Sequence, residues 1–73
     1  MTFRTLMCDT KHGEPSYQIL ERTLLMGGNP SPRFRRGDNG AFQCLVDDYG
    51  VNADAAIALI DTAKRQGSVE FES

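Results

Sequence analysis

With 73 residues, 40% of them hydrophobic and 25% charged, the chain is one small domain, too apolar to be a disordered segment. Folding a chain of this size buries only about 60% of the surface its open form exposes, so the core is small. No run approaches the ~18 apolar residues of a membrane span, and MTFRTLMCDTKHGE has no signal-length apolar stretch; the expected compartment is the cytoplasm, away from membranes.

The net charge of −2 is unevenly spread. Residues 1–40 hold six basic side chains against four acidic ones, and residues 41–73 hold two against six. That division predicts a dipolar molecule with a basic loop and an acidic C-terminal half. Nucleic-acid binders carry a basic footprint, and here it is confined to the loop.

Thr2–Cys8 alternates Phe3, Thr5 and Met7 with Arg4 and Leu6, which predicts a strand, and Asp9–Gly13 follows as a polar turn. Pro15 stands where a first helical residue would. Tyr17, Leu20 and Leu24 fall at i, i+3 and i+7, predicting a first helix to about Met26, ended by Gly27-Gly28. Residues 28–40, rich in Pro, Gly and Asn, then predict a flexible basic loop with Arg33-Phe34-Arg35-Arg36 at its tip. Two readings of that tip stand side by side. In one, the guanidinium groups grip phosphate while Phe34 stacks; in the other, the loop is solvated and Phe34 tucks onto the core.

Asp38 or Asn39 is placed to cap a second helix, whose Phe42, Leu45, Val46 and Tyr49 give the clearest amphipathic spacing in the chain. Asp47 and Asp48 fall on its solvent side, and Gly50 stops it. In the turn that follows, Asn52 is a cap for a third helix, and Val51 is placed to staple onto Ala56. That helix is alanine-rich, with Asp54 in its first turn and Lys64 and Arg65 in its last, a charge order that suits the helix dipole. Ala56, Leu59, Ile60 and Ala63 form its buried stripe, and Gly67 ends it. Ser68–Glu72 alternates Val69 and Phe71 with polar residues, predicting a strand that pairs with Thr2–Cys8 and buries Phe3, Val69 and Phe71 against the helices.

Catalysis and metal binding find little support. His12, the single histidine, sits in a Lys-His-Gly turn without a positioned partner, and Ser16 and Ser31 have no base near them in sequence. Asp47 and Asp48, adjacent on a helix, point in different directions and share no site. Gly27-Gly28-Asn29 lacks the strand and helix that flank a phosphate-binding loop. A zinc site from Cys8, His12 and Cys44 lacks a fourth ligand and paired C-x-x-C spacing, and Cys44 reads as a small buried hydrophobe. The chain is expected to be neither an enzyme nor a holder of cofactor or metal.

From Gly50-Val51-Asn52-Ala53-Asp54 through Leu59-Ile60-Asp61 to Gly67-Ser68-Val69, the chain resembles the recognition-helix region of winged-helix domains. It is most similar to the DNA-reading gamma domain of bacterial chromosome translocases. The resemblance spans about 30 residues and implies a mainly helical α+β fold: a three-helix helix-turn-helix core with a small two-stranded antiparallel sheet made by the terminal strands. It also implies that Asn52, Asp54, Ala55, Ala58 and Thr62 face DNA. The electrostatic energy would come from Arg33, Arg35, Arg36, Lys64 and Arg65, and about five phosphate contacts give a log–log salt slope of roughly −4 to −5.

Two functions follow. One is a small double-stranded-DNA-binding protein, a transcriptional or recombination accessory factor acting as monomer or homodimer. The other is a protein-interaction module, for example a phage-type inhibitor or adaptor, that docks on a basic protein surface through Asp47, Asp48, Asp54 and Asp61.

Overall fold

A computed structural model describes residues 3–11, 13–22 and 33–72. The chain runs β1 (Phe3–Asp9), β2 (Ser16–Arg22), β3 (Arg33–Arg36), α1 (Gly37–Asp47), α2 (Ala53–Gln66) and β4 (Ser68–Glu72). The strands form one antiparallel sheet in the order β3-β2-β1-β4, with both helices packed on the same face. This corrects the expected mainly helical, winged-helix-like core. Among the described residues four strands stand against two helices, and the two-stranded sheet is the β1–β4 half of a larger one.

The first predicted helix is the largest correction, because Ser16–Arg22 is strand β2. The spacing of Tyr17, Leu20 and Leu24 satisfied a helical period, but Tyr17 and Ile19 also satisfy a period of two. Both are buried, while Gln18 between them and Leu20 after them are only half-buried. The strand reading wins because partners exist on both sides. β2 pairs with β1 (Leu6 opposite Ile19) and with β3 (Arg35 opposite Tyr17), so its backbone groups are satisfied along both edges. Pro15 stands just ahead of a strand, which tolerates it as well as a helix start does. The predicted end of that helix, Gly27-Gly28, lies outside the described residues, as do His12 and Ser31.

The predicted basic loop is corrected in part. Residues 33–36 form edge strand β3, and 37–40 are already the first turn of α1; residues 28–32 lie outside the described residues. Charged side chains on an edge strand discourage pairing with other chains, which explains a strand without an apolar rhythm. Gly37 makes the corner: at φ 77° it swings the chain from β3 into α1, and its N–H donates to the Pro15 carbonyl at 2.8 Å.

The two later helices and β4 follow the sequence closely. Ala41, Cys44 and Leu45 of α1 and Ala56, Ile60 and Ala63 of α2 are buried against Leu6, Tyr17, Ile19 and Phe71, and Leu59 is half-buried. At the C-terminal end of α1, Tyr49 meets Phe71 edge-on at 6.1 Å, and the Arg4 guanidinium lies 4.6 Å from the Tyr49 ring centre. β1 pairs with β4 as expected, but its facing is inverted. Leu6 is buried, whereas Phe3 and Met7 are 45% and 40% exposed on the opposite face, so the predicted burial of Phe3 is corrected.

Asn52 caps α2, its side-chain oxygen accepting from the Asp54 N–H at 2.9 Å. Gly67, at φ 92°, closes that helix by donating to the Ala63 carbonyl. Asn52→Ala is expected to cost about 1 kcal/mol, read as a lower urea midpoint at unchanged slope.

Candidate interaction site

The residues expected to grip DNA do not converge. Arg35 and Arg36 lie on β3 at one edge of the sheet, while Asn52, Ala55, Thr62, Lys64 and Arg65 belong to α2, which packs over β4 and β1 toward the other edge. Successive strand residues point to opposite faces, so Arg35 faces the helix layer and Arg36 the open side. Arg33 sits opposite Ile19, its side chain outside the described set.

Most of the described cations are also engaged. Arg35 approaches Asp48 at 3.6 Å and donates to the Phe34 carbonyl at 2.7 Å. Lys64 donates to Asp38 at 3.0 Å, and Arg65 pairs with Asp61 at 3.0 Å one turn away. Asn52 is occupied as a cap, the Thr62 hydroxyl donates to the Ala58 carbonyl, and Ala55 is exposed. Such exposed ion pairs are individually weak, and in each the carboxylate offsets the charge its cation would offer a phosphate.

Asp38 does a different job from the predicted cap. The residue before α1 is Arg36, with no side-chain capping bond, and the Asp38 carboxylate lies inside the first turn. It accepts from the Tyr17 hydroxyl at 2.6 Å and from Lys64, joining β2, α1 and α2. Tyr17 is 1% exposed, the largest fully buried side chain among the described residues. The Tyr17 hydrogen bond, with that from Lys64, holds the Asp38 carboxyl below the usual carboxylate range. Burial, and then the bond to Asp38, pushes the Tyr17 phenol well above the ordinary tyrosine value, and Asp38 raises Lys64.

Beside this junction, the space between α1 and α2 opens into a groove of about 480 Å³ lined by Asp38, Asn39, Phe42, Ile57, Ile60, Asp61 and Lys64. Ile57 is 58% exposed. Along α2, Asp54, Ile57, Asp61 and Lys64 recur at three- and four-residue steps, so the exposed isoleucine is bracketed by carboxylates on one helix face. Of the four carboxylates read as a protein-binding set, Asp54 and Asp61 share this face. Asp48, which turns to Arg35 and accepts from the Cys44 thiol at 3.4 Å, and exposed Asp47 sit at the far end of α1.

Sequence reasoning missed Phe42, Ile57 and Asp38 as surface features. Ile57 left a signal, as the large apolar residue of α2 outside the buried stripe. Asp38 left none, because its partner Tyr17 is 21 residues away.

Among the described residues no three potential metal-ligating side chains cluster, and no helix is long and apolar enough to cross a membrane. Cys8 is half-buried and Cys44 buried, both as free thiols. No protein-family model matches the chain, and no curated protein or solved structure is significantly similar to it.

Proposed function

We propose that the chain is a protein-interaction module that holds a basic amphipathic segment of a partner in the groove between α1 and α2. The observation that carries this reading is an exposed Ile57 set between Asp54 and Asp61 on the wall of an open apolar groove. The charge of the helix pair supports it: residues 37–66 hold five carboxylates (Asp38, Asp47, Asp48, Asp54 and Asp61) against Lys64 and Arg65. A partner helix with an apolar anchor would fill the groove, and flanking Lys or Arg would meet the acidic rim. Duplex DNA is the weaker candidate, since its expected contacts are dispersed between the β3 edge and α2.

Selection from a displayed random peptide library tests the reading. Enriched peptides should carry an apolar anchor flanked by Lys or Arg, bind in the micromolar range and weaken with salt. Ile57→Asp should weaken them at least tenfold, about 1.4 kcal/mol, while stability stays within about 0.5 kcal/mol because the position is exposed. Failure to enrich such peptides, with salt-dependent duplex binding that Arg35→Glu and Arg36→Glu abolish, would return the assignment to DNA.

A further inference from the structure

The helices cover one face of the sheet, and no described residue covers the other. By strand alternation that open face presents Phe3 and Met7 of β1, Leu20 of β2, Phe34 and Arg36 of β3, and Glu72 of β4. Phe3, Met7 and Phe34 are 45%, 40% and 64% exposed, and Leu20 lies outside the core cluster. The apolar centre is flanked by opposite charges. The register sets Arg36 level with Ser16 and Asp9 on the outer strand β3, and Glu72 on the outer strand β4 level with Phe3 and with Arg22, whose side chain lies outside the described set. These are diagonally opposite corners of a face about 14 Å across the strands and about 20 Å along them.

We infer that this face is a homodimer interface, in which two sheets stack face to face with their strands nearly perpendicular. A two-fold axis along the other diagonal exchanges the two charged corners. Arg36 of each copy then lies against Glu72 of the second copy, and Phe34 against the second copy's Phe3. Met7 and Leu20, near the axis, meet their own counterparts. A two-fold interface must be complementary to itself, and orthogonal stacking is one of the two standard ways for sheets to pack. The face is small for a stable interface, so the dimer dissociates in the micromolar range.

Sedimentation equilibrium of the whole chain from micromolar to millimolar concentration provides the test. The wild type should pass from monomer to dimer. Arg36→Glu and Glu72→Arg should each weaken association at least tenfold, and the double substitution should restore it to within a few-fold of wild type. Phe34→Asp should abolish dimerisation with unchanged far-ultraviolet circular dichroism, since the side chain is exposed. A wild type that stays monomeric at millimolar concentration overturns the proposal. So does a dimer indifferent to Phe34→Asp, a charge swap that fails to restore association, or a monomer that binds single-stranded oligonucleotide through Phe34.

Discussion

Leu6→Ala is expected to lower the unfolding free energy by about 2–5 kcal/mol, while Met7→Ala, one residue away, should cost well under 1 kcal/mol in dilute protein below the dimer dissociation constant. Leu6 is 0% exposed and stands between Ile19 of β2 and Val69 of β4 in the row of the sheet beneath the helices. Truncating it leaves a void in the middle of a two-layer core, where neighbours on both flanking strands are fixed by pairing and cannot collapse inward. A domain this small sits near the low end of the usual 5–15 kcal/mol, so the loss takes a third or more of its stability. With a urea slope of about 1 kcal/mol/M, the midpoint should fall by roughly 2–5 M. The contrast with Met7 tests the register as well as the packing. A one-residue slip of β1 would exchange the two faces, and the two substitutions would then exchange their effects.

That slip is the error a reading of β1 from sequence invites. Phe3, Thr5 and Met7 make the more apolar alternate row, so the strand reads as facing the core with Phe3. The structure buries the other row, because Arg4 spends its charge over Tyr49 and Cys8 packs as a small half-buried side chain beside Leu6. What distinguishes the rows is contact with distant elements, which a local pattern does not record. The same reasoning separates the legible elements from the others. α1 and α2 each combined one apolar period with defined stops, and α2 also had a cap in Asn52; in both, local and tertiary preferences agree. β2 satisfied two periods at once, and only the partners β1 and β3 decide between them. β3 had no period, since four residues dominated by arginine become a strand through pairing alone. The groove was half legible. Its acidic character and its position on the third predicted helix are in the sequence, whereas the apolar wall at Phe42 and Ile57 appears once the helices are set side by side.

The Tyr17–Asp38–Lys64 junction should make the fold lose stability at both ends of the pH scale, and the two ends should respond to different substitutions. The Asp38 carboxyl is held below its ordinary value, first by the Tyr17 hydrogen bond and then by Lys64. Its contribution is therefore complete above the unfolded-state value of roughly 4 and is lost as pH falls through the lower folded-state value. Tyr17 and Lys64 are shifted upward, so their contributions are complete below roughly pH 10 and are lost as pH rises beyond it. At neutral pH, Asp38→Ala strands a buried hydroxyl and should cost about 1–3 kcal/mol. Tyr17→Phe removes the donor and leaves Asp38 to Lys64 and solvent, and should cost about 1–2 kcal/mol. Because both remove one bond, the double variant should cost clearly less than the sum. Asp38→Asn keeps an acceptor but drops the charge, so its deficit against wild type in urea unfolding should be present at pH 7 and shrink as pH falls through the lowered folded-state value, where the wild-type carboxyl itself takes up a proton. A deficit that stayed constant across that range would mean that Asp38 acts by shape and not by charge. The same titration reaches the groove, since Asp38 is part of its wall. A basic peptide held there should therefore weaken over the acid range in which the fold loses this anchor, and Asp38→Asn should remove the Asp38 share of that weakening.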